Sequence, residues 1–284
     1  MPLGEESLPH RADWTVDQDW ERYTAAEHAT WRTLFERQAR LLPGRACDAV
    51  VAGMRDLAIA ADRIPDFRRL SELLLRRTGW QVVAVPGLVP ADVFFRHLAQ
   101  RRFPAGRFIR RPAQLDYIEE PDVFHDVVGH VPLLMHPVFA DFLQAYGEGG
   151  LRANRLGALD QLSRVYWFTI EFGLLRQADG LRIYGAGIVS SFAETRFALE
   201  DASPNRLGFD LLRVMRTRYR IDDFQESYFV IDRPDDLLRL AAIDFAPLYE
   251  KAKALKEIEP GDVVPGDKLV ARGTGAYHRG KRSA

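Results

Sequence analysis

A single acidic residue inside a long apolar run constrains this chain more than any other feature. Residues 165–175 read VYWFTIEFGLL, and Glu171 is the one charged residue among them. A segment this apolar belongs in a protein core, where an isolated ionised carboxylate costs several kcal/mol or more. Glu171 must therefore be protonated, paired with one of the many arginines, or bound to a cation.

A second segment, residues 121–133 (PDVFHDVVGHVPL), places two histidines five residues apart among apolar side chains. On a straight α-helix this spacing turns the two rings about 140° apart. His125 and His130 therefore face one ion only if the helix is bulged or ends between them, which Gly129 and Pro132 permit. The alternative is two unrelated structural histidines, each hydrogen-bonded to a carbonyl group.

Together, the two histidines and the glutamate have the composition of a catalytic metal site. Cys47 is the only cysteine, so a metal here must be held by nitrogen and oxygen ligands. His125, His130 and Glu171 on one face of an octahedral ion leave three positions open, as in non-haem Fe(II) oxygenases. The same ligand types serve catalytic zinc, and Asp126 could act as the base of a zinc hydrolase. Residue types alone leave the metal open.

The hydrophobic pattern predicts a mainly α fold, a single domain of packed helices with a few short strands. Helical periods occur in residues 24–42, 50–61, 67–74, 90–98, 121–200 and 234–256. Residues 80–85 are typical of a strand, and residues 214–230 are ambiguous, with room for short strands. We expect residues 1–258 to form the catalytic domain and residues 259–284, poorer in apolar side chains, to form a loosely ordered tail.

Charge and composition argue against several functional classes. The chain has 39 Lys and Arg against 40 Asp and Glu, a net charge of −1, so it has no basic excess for nucleic acid or an anionic membrane surface. No uncharged apolar run reaches the roughly 18 residues that cross a bilayer. The first 13 residues also lack the apolar core of a secretory signal. We therefore expect a cytoplasmic protein with no nucleic-acid or membrane partner.

Three ordered motifs carry a specific resemblance to a known family. Residues 121–133, 166–174 (YWFTIEFGL) and 184–192 (YGAGIVSSF) closely resemble the pterin-dependent aromatic amino acid hydroxylases. A looser similarity extends from about Thr24 to about Tyr249. The resemblance implies a largely helical catalytic domain that binds Fe(II), a tetrahydrobiopterin-like tetrahydropterin as cosubstrate, and O2. It also implies the identity of the iron ligands, which are His125, His130 and Glu171.

The resemblance also assigns residues to the pterin. Gly87, Leu88, Val89 and Phe94 match the family's pterin-contacting segment, in which backbone groups hydrogen-bond the ring edge and an aromatic face stacks on the ring. Without the resemblance, Phe94 reads as a core residue of an amphipathic helix. Asp126 stands where many family members have Glu, and it would hold the pterin through water.

Four further positions are implied to form the amino acid site. Arg110 matches the arginine that pairs with the substrate carboxylate, and Trp167 is expected to form a wall of the aromatic pocket. Ser190 would bond an iron ligand or the substrate carboxylate. Ile221, three residues before Phe224, stands where tyrosine-hydroxylating relatives have a carboxylate, and an apolar wall suits an unsubstituted ring.

These residues imply the conversion of L-phenylalanine to L-tyrosine, as in the short bacterial phenylalanine 4-hydroxylases, which are typically monomers. The chain before Thr24 is too short for the family's N-terminal regulatory domain, and no long heptad helix follows the matched region. Hydroxylation of tyrosine or tryptophan is the alternative within the family. Outside the family, a zinc-dependent hydrolase and a non-catalytic helical binding protein remain alternatives.

Overall fold

Helices account for most of the secondary structure. The computed structural model describes residues 10–116, 118 and 120–282. Residues 1–9, which belong to the segment predicted to lack a secretory signal, and residues 283–284, the end of the predicted tail, lie outside the described residues. The α-helices are α1 (Ala25–Leu41), α2 (Asp48–Asp56), α3 (Phe67–Arg77), α4 (Ala91–Ala99), α5 (Pro137–Arg155), α6 (Leu159–Tyr166), α7 (Ala186–Val189), α8 (Phe192–Glu200), α9 (Leu211–Arg216), α10 (Asp235–Ala241), α11 (Ala246–Ala254) and α12 (Ala276–Arg282). No helix in this part of the chain is both long and apolar enough to cross a bilayer.

The described residues also form seven short strands in two sheets. The strands are β1 (Gln81–Val85), β2 (Arg102–Gly106), β3 (Gly173–Gln177), β4 (Gly180–Ile183), β5 (Asn205–Gly208), β6 (Ser227–Ile231) and β7 (Leu269–Ala271). β1 and β2 form a parallel pair with Gln81 opposite Arg102. The other five lie in the order β4-β3-β6-β5-β7, with parallel pairing at the centre and antiparallel pairing at both edges. Because β3 begins two residues after Glu171, this sheet fixes the segment that carries the buried acid.

Helix α1 begins where the sequence predicts. The Thr24 hydroxyl accepts the Glu27 N–H, and the Glu27 carboxylate accepts the Thr24 N–H, which is the expected capping box. Trp31 on α1 is fully buried and packs edge-on against Phe124, with ring centroids 5.4 Å apart. α1 therefore supports the chain immediately before His125.

Part of residues 121–200, predicted as mainly helical, folds as the strands β3 and β4 instead. The prediction of helix there is wrong because a short apolar run does not distinguish a buried strand from a buried helix. Gly173, at the start of β3, also allows a close approach of neighbouring chain, since a Cβ there would lie 2.2 Å from the Tyr184 ring. β6 begins within residues 214–230, where the sequence allows short strands.

The C-terminal segment, expected to be loosely ordered from residue 259 onward, carries β7 and α12. β7 pairs with β5, and α12 buries His278, which is only 3% exposed. Gly273 passes so close to an earlier turn that a Cβ would lie 2.3 Å from the Ser203 carbonyl oxygen. All these contacts are with residues far earlier in the chain, so the low apolar content of the segment gives no sign of them.

Candidate metal centre and substrate cavity

The two histidines come together because the helix between them is wider than an α-helix. The segment His125–His130 is a π-helix, in which backbone hydrogen bonds join residues five apart. Residues five apart therefore lie on the same side of the helix, and the Nε2 atoms of His125 and His130 are 3.2 Å apart. This is the bulge that the five-residue spacing requires if both rings are to face one ion.

A second π-helix, Trp167–Glu171, directs the buried acid to the same point. Glu171 Oε1 is 3.2 Å from His130 Nε2, and Glu171 Oε2 is 3.7 Å from His125 Nε2. The three potential ligand atoms lie within 4.8 Å of one another. The ionic partners of Glu171 in the described structure are thus two imidazoles rather than an arginine, and the donor set fits a divalent metal ion.

The protonation states of His125 and Glu171 suit a metal site. Burial lowers the pKa of His125 to about 4, so its imidazole is neutral and keeps a nitrogen lone pair. Burial alone would raise the pKa of Glu171, but His130, His125 and the Tyr166 hydroxyl together hold that pKa below its ordinary value. The cluster therefore combines an ionised carboxylate with a neutral imidazole.

Ser190 fixes which nitrogen of His125 faces the cluster. The Ser190 hydroxyl oxygen is 2.9 Å from His125 Nδ1 and 2.8 Å from the Ala186 carbonyl oxygen. A hydroxyl has one proton, and the carbonyl can only accept it, so His125 Nδ1 must donate to Ser190 Oγ. The unprotonated nitrogen of the neutral ring is then Nε2, which faces Glu171 and His130.

Close packing of α7 against both π-helices brings Ser190 within reach of His125. A Cβ on Gly129 would lie 2.8 Å from the Ala186 carbonyl oxygen. A Cβ on Gly185 would lie 2.4 Å from the Glu171 carbonyl oxygen. Glycine at both positions therefore allows the backbones to approach more closely than any side chain would permit.

Asp122, for which the sequence predicts no role, joins the first π-helix to Arg110. Its Oδ1 accepts the His125 N–H at 3.0 Å, a spacing of three residues that is a recognisable N-cap signal in the sequence. Arg110 donates to Asp122 from Nε to Oδ2 and from Nη2 to Oδ1, each at 2.8 Å, and both side chains are buried. A guanidinium has five N–H donors, so the Nη1 and Nη2 end of Arg110 can still bind a second carboxylate.

A cavity of about 500 Å³ opens beside the cluster. The predicted site residues in its lining are Arg110, His125, Trp167, Glu171, Ser190 and Ile221. Trp167 stacks on Tyr219, with ring centroids 4.3 Å apart, and donates from Nε1 to Gln225 Oε1 at 2.9 Å. Ile221 is 63% exposed, so it lies at the rim rather than in a closed wall. No local sequence pattern indicates the contact between Gln225 and Trp167.

The residues that the resemblance assigns to the pterin do not line this cavity. Residues 87–89 form the loop after β1, and Phe94 lies half-buried on α4. The Phe94 ring makes an edge-on contact with the Tyr166 ring, with centroids 6.0 Å apart. The Tyr166 ring also stacks on the His130 ring, with centroids 6.3 Å apart. Tyr166, for which the sequence predicts no role, therefore links Phe94 to the cluster of His125, His130 and Glu171.

Asp126 lies on the first π-helix and is buried at the end of β2. Its Oδ2 accepts the Gly106 N–H at 2.7 Å, and burial raises its pKa to about 7. The carboxyl group of Asp126 is thus bound to the backbone of the smaller sheet and does not line the 500 Å³ cavity.

Comparison with known proteins identifies relatives along most of the chain. The family model described as biopterin-dependent aromatic amino acid hydroxylase matches residues 18–248. A phenylalanine-4-hydroxylase from Ralstonia nicotianae is 61% identical over 264 residues, which are 93% of this chain and 84% of the relative. A phenylalanine-4-hydroxylase from Caulobacter vibrioides is also 61% identical, over 267 residues that are 94% of this chain and 91% of the relative.

Solved structures of a phenylalanine hydroxylase from Chromobacterium violaceum share the fold. The crystal structure of that enzyme with iron and phenylalanine bound has a TM-score of 0.89 and 55% identity, over 93% of this chain and 97% of that chain. The structure bound to cobalt has a TM-score of 0.91 and 56% identity, over 93% of this chain and 96% of that chain. The fold of the present chain is the fold of that hydroxylase.

Proposed function

The chain belongs to the biopterin-dependent aromatic amino acid hydroxylase family, and from this membership we propose that it is a phenylalanine 4-hydroxylase. It converts L-phenylalanine to L-tyrosine with O2 and a tetrahydropterin, so that one oxygen atom enters the ring and the other leaves on the pterin. Iron and the reduced pterin, when bound, supply O2 activation and the two electrons that the reaction consumes. A zinc hydrolase and a non-catalytic binding protein have no support in the family match.

The convergence of His125, His130 and Glu171 is the observation that carries this proposal. These three side chains would hold the iron through two imidazole nitrogens and one carboxylate oxygen. Glu171 is ionised, and Ser190 holds His125 with its Nε2 lone pair toward the cluster. Both groups are therefore ready to bind a metal without losing a proton.

The 500 Å³ cavity is the proposed site of the amino acid. Arg110 binds the substrate carboxylate with its Nη1 and Nη2 end, while Asp122 holds the guanidinium from the Nε side. Trp167 packs against the aromatic ring, and its orientation is fixed by Gln225 and Tyr219. These contacts align the ring relative to the metal cluster and exclude water from it, so the contribution of the protein is mainly positioning.

Phenylalanine is preferred over tyrosine because the cavity rim at Ile221 is apolar. The Ile221 side chain can contact an unsubstituted ring but offers no hydrogen-bond partner to a phenol hydroxyl. Hydroxylation of tyrosine or tryptophan remains the second candidate within the family, and the assay below separates the three substrates.

The pterin is proposed to bind along the loop of residues 87–89. Backbone groups of this loop hydrogen-bond the edge of the pterin ring, and Phe94, held by Tyr166, stacks on its face. Asp126 holds the pterin through a water molecule. This arrangement would place the pterin against the metal cluster from the side of α4, separate from the residues that line the amino acid cavity.

We also propose that the enzyme is a cytoplasmic monomer. The large apolar side chains that are exposed in the described part of the chain come from separate helices, strands and loops. They are Val51, Leu75, Leu88, Leu156, Ile221, Ile243, Leu255 and Leu269.

The decisive experiment is anaerobic reconstitution with Fe(II), followed by hydroxylation assays with each aromatic amino acid, with and without a tetrahydropterin. We expect tyrosine to form from phenylalanine only when iron, O2 and the tetrahydropterin are all present. Phenylalanine should also have a higher kcat/KM than tyrosine or tryptophan. The proposal is wrong if phenylalanine yields no tyrosine, or if another amino acid is the better substrate.

A further inference from the structure

The last helix of the described chain, α12, contacts the loop of residues 220–225, which lines the 500 Å³ cavity. The Tyr277 hydroxyl donates to Asp223 Oδ1 at 3.0 Å, and the Lys281 ammonium lies 3.0 and 2.9 Å from the two carboxylate oxygens of Asp223. His278 Nε2 donates to the Phe224 carbonyl oxygen at 2.8 Å. Three side chains of one helix thus hold two consecutive residues of the loop.

The same loop holds a wall of the cavity on its other side. Gln225 accepts the Trp167 indole N–H at 2.9 Å, and its own amide group donates to the Arg220 carbonyl oxygen at 2.8 Å. Residues 220–225 all line the 500 Å³ cavity, as does Lys281. A displacement of the loop would therefore move Trp167 and the cavity rim together.

Helix α12 is itself anchored to the body of the protein. The Tyr277 N–H donates to Ser203 Oγ at 3.0 Å, and the Gly275 N–H donates to the Ser203 carbonyl oxygen at 2.9 Å. The Phe224 ring stacks on Phe197 of α8, with centroids 4.6 Å apart, and packs against Tyr277 at 5.3 Å. The loop is therefore held between α8 and α12.

We propose that α12 is a positioning element of the substrate site. Through Asp223, Phe224 and Gln225 it fixes the orientation of Trp167 and the rim around Ile221. The helix lies outside residues 18–248, the segment that the family model matches. This inference rests on the proposed function, because the quantity that α12 controls is the binding of phenylalanine.

Loosening α12 should change phenylalanine binding more than the chemistry at the metal. Lys281→Met removes the charge and keeps most of the apolar side chain. Because partly exposed ion pairs are weak, we expect KM for phenylalanine to rise about two- to fivefold. The kcat, the KM for tetrahydropterin and the iron content should stay within about twofold of wild type. Lys281→Arg keeps the charge and should restore KM for phenylalanine.

A double-mutant cycle tests whether Lys281 acts through Asp223. Steady-state kinetics are measured on the iron-loaded wild type, Asp223→Asn, Lys281→Met and the double variant. Both single changes remove the same ion pair. The KM of the double variant should therefore be no higher than the higher KM of the two single variants. The matched control is Lys268→Met, because Lys268 also forms an ion pair, with Asp232 at 3.0 Å, and neither of these residues lines the cavity. This control should leave KM unchanged.

Amide hydrogen exchange gives a measurement that does not depend on turnover. The Gln225 N–H donates to Glu194 Oε1 at 3.3 Å, so its exchange rate reports how firmly the loop is held. We expect exchange at residues 220–225 to be faster in Lys281→Met than in wild type. A chain ending at Gly275 should show a larger increase in rate.

The outcomes separate this inference from the proposed function. If wild type converts phenylalanine but KM and loop exchange are unchanged in Lys281→Met, α12 has no positioning role. A parallel loss of iron, kcat and pterin binding would also overturn the inference, because it indicates general destabilisation. If wild type itself does not convert phenylalanine, the proposed function fails, and the exchange rates alone decide whether α12 holds the loop.

Discussion

The hydroxyl of Ser190 determines the tautomer of His125, and the tautomer determines which ring nitrogen can bind a metal. Ser190 gives its only proton to the Ala186 carbonyl oxygen and so accepts the Nδ1–H of His125. Without this partner, a neutral imidazole divides between two tautomers and its ring is less restrained. Such outer partners typically change metal affinity by about 10- to 100-fold.

We therefore expect Ser190→Ala to weaken Fe(II) binding by about 10- to 100-fold, measured by anaerobic competition with a chelator. The control is Thr33→Ala on α1, because Thr33 donates to the carbonyl oxygen four residues earlier, as Ser190 does, but is exposed and does not line the cavity. Thr33→Ala should bind Fe(II) as wild type does. An affinity within twofold of wild type in Ser190→Ala would show that the hydroxyl does not orient His125.

Among the secondary-structure elements, the two π-helices and α7 form one packed unit. A Cβ at Gly129 would lie 2.8 Å from the Ala186 carbonyl oxygen and 3.0 Å from the Ala186 Cβ. Helix α7 would have to shift, and Ser190 would move away from His125. The geometry of the candidate metal site therefore depends on this contact between elements.

We expect Gly129→Ala to lower the free energy of unfolding by about 1–3 kcal/mol and to weaken Fe(II) binding as well, measured by denaturant unfolding and chelator competition. Gly149→Ala on α5 is the control, because the nearest atom to its added Cβ, Nη2 of Arg152, would be 3.9 Å away. Ala is the better helix former, so this control should be neutral or stabilising by up to about 1 kcal/mol. Equal stability of the two variants would contradict the close packing of α7.

The contacts between elements also explain what could be predicted from the sequence. The lone acid in an apolar segment and the five-residue histidine spacing are local patterns, so they indicate both a buried cluster and a bulged helix. The partners of Arg110 and Trp167 are not local, because Asp122 is 12 residues away and Gln225 is 58 residues away. No pattern within either segment encodes these pairings. The strands β3, β4 and β7 depend on distant contacts in the same way.

At the scale of the whole molecule, the buried acid Glu194, which contacts the loop of residues 220–225, makes the free energy of unfolding depend on pH. Glu194 is 5% exposed, accepts the Tyr228 hydroxyl and the Gln225 N–H, and has its pKa raised by burial to about 7. Its ordinary pKa, which applies in the unfolded chain, is 4.5. Between these two values the folded protein binds a proton that the unfolded chain does not. The stability that Glu194 contributes is therefore fully present below about pH 4.5 and is lost as the pH rises through about 7.

We expect Glu194→Gln to remove this pH dependence, because an amide can accept the same two hydrogen bonds without becoming charged. The unfolding free energy of wild type minus that of Glu194→Gln should fall by up to about 3 kcal/mol between pH 4.5 and 8, measured by guanidinium unfolding of iron-loaded protein. Glu72→Gln, a change at an exposed position on α3, should give a difference from wild type that is flat over this range. A flat difference for Glu194→Gln would mean that Glu194 stays ionised in the folded protein, and that burial of this acid does not limit stability at neutral pH.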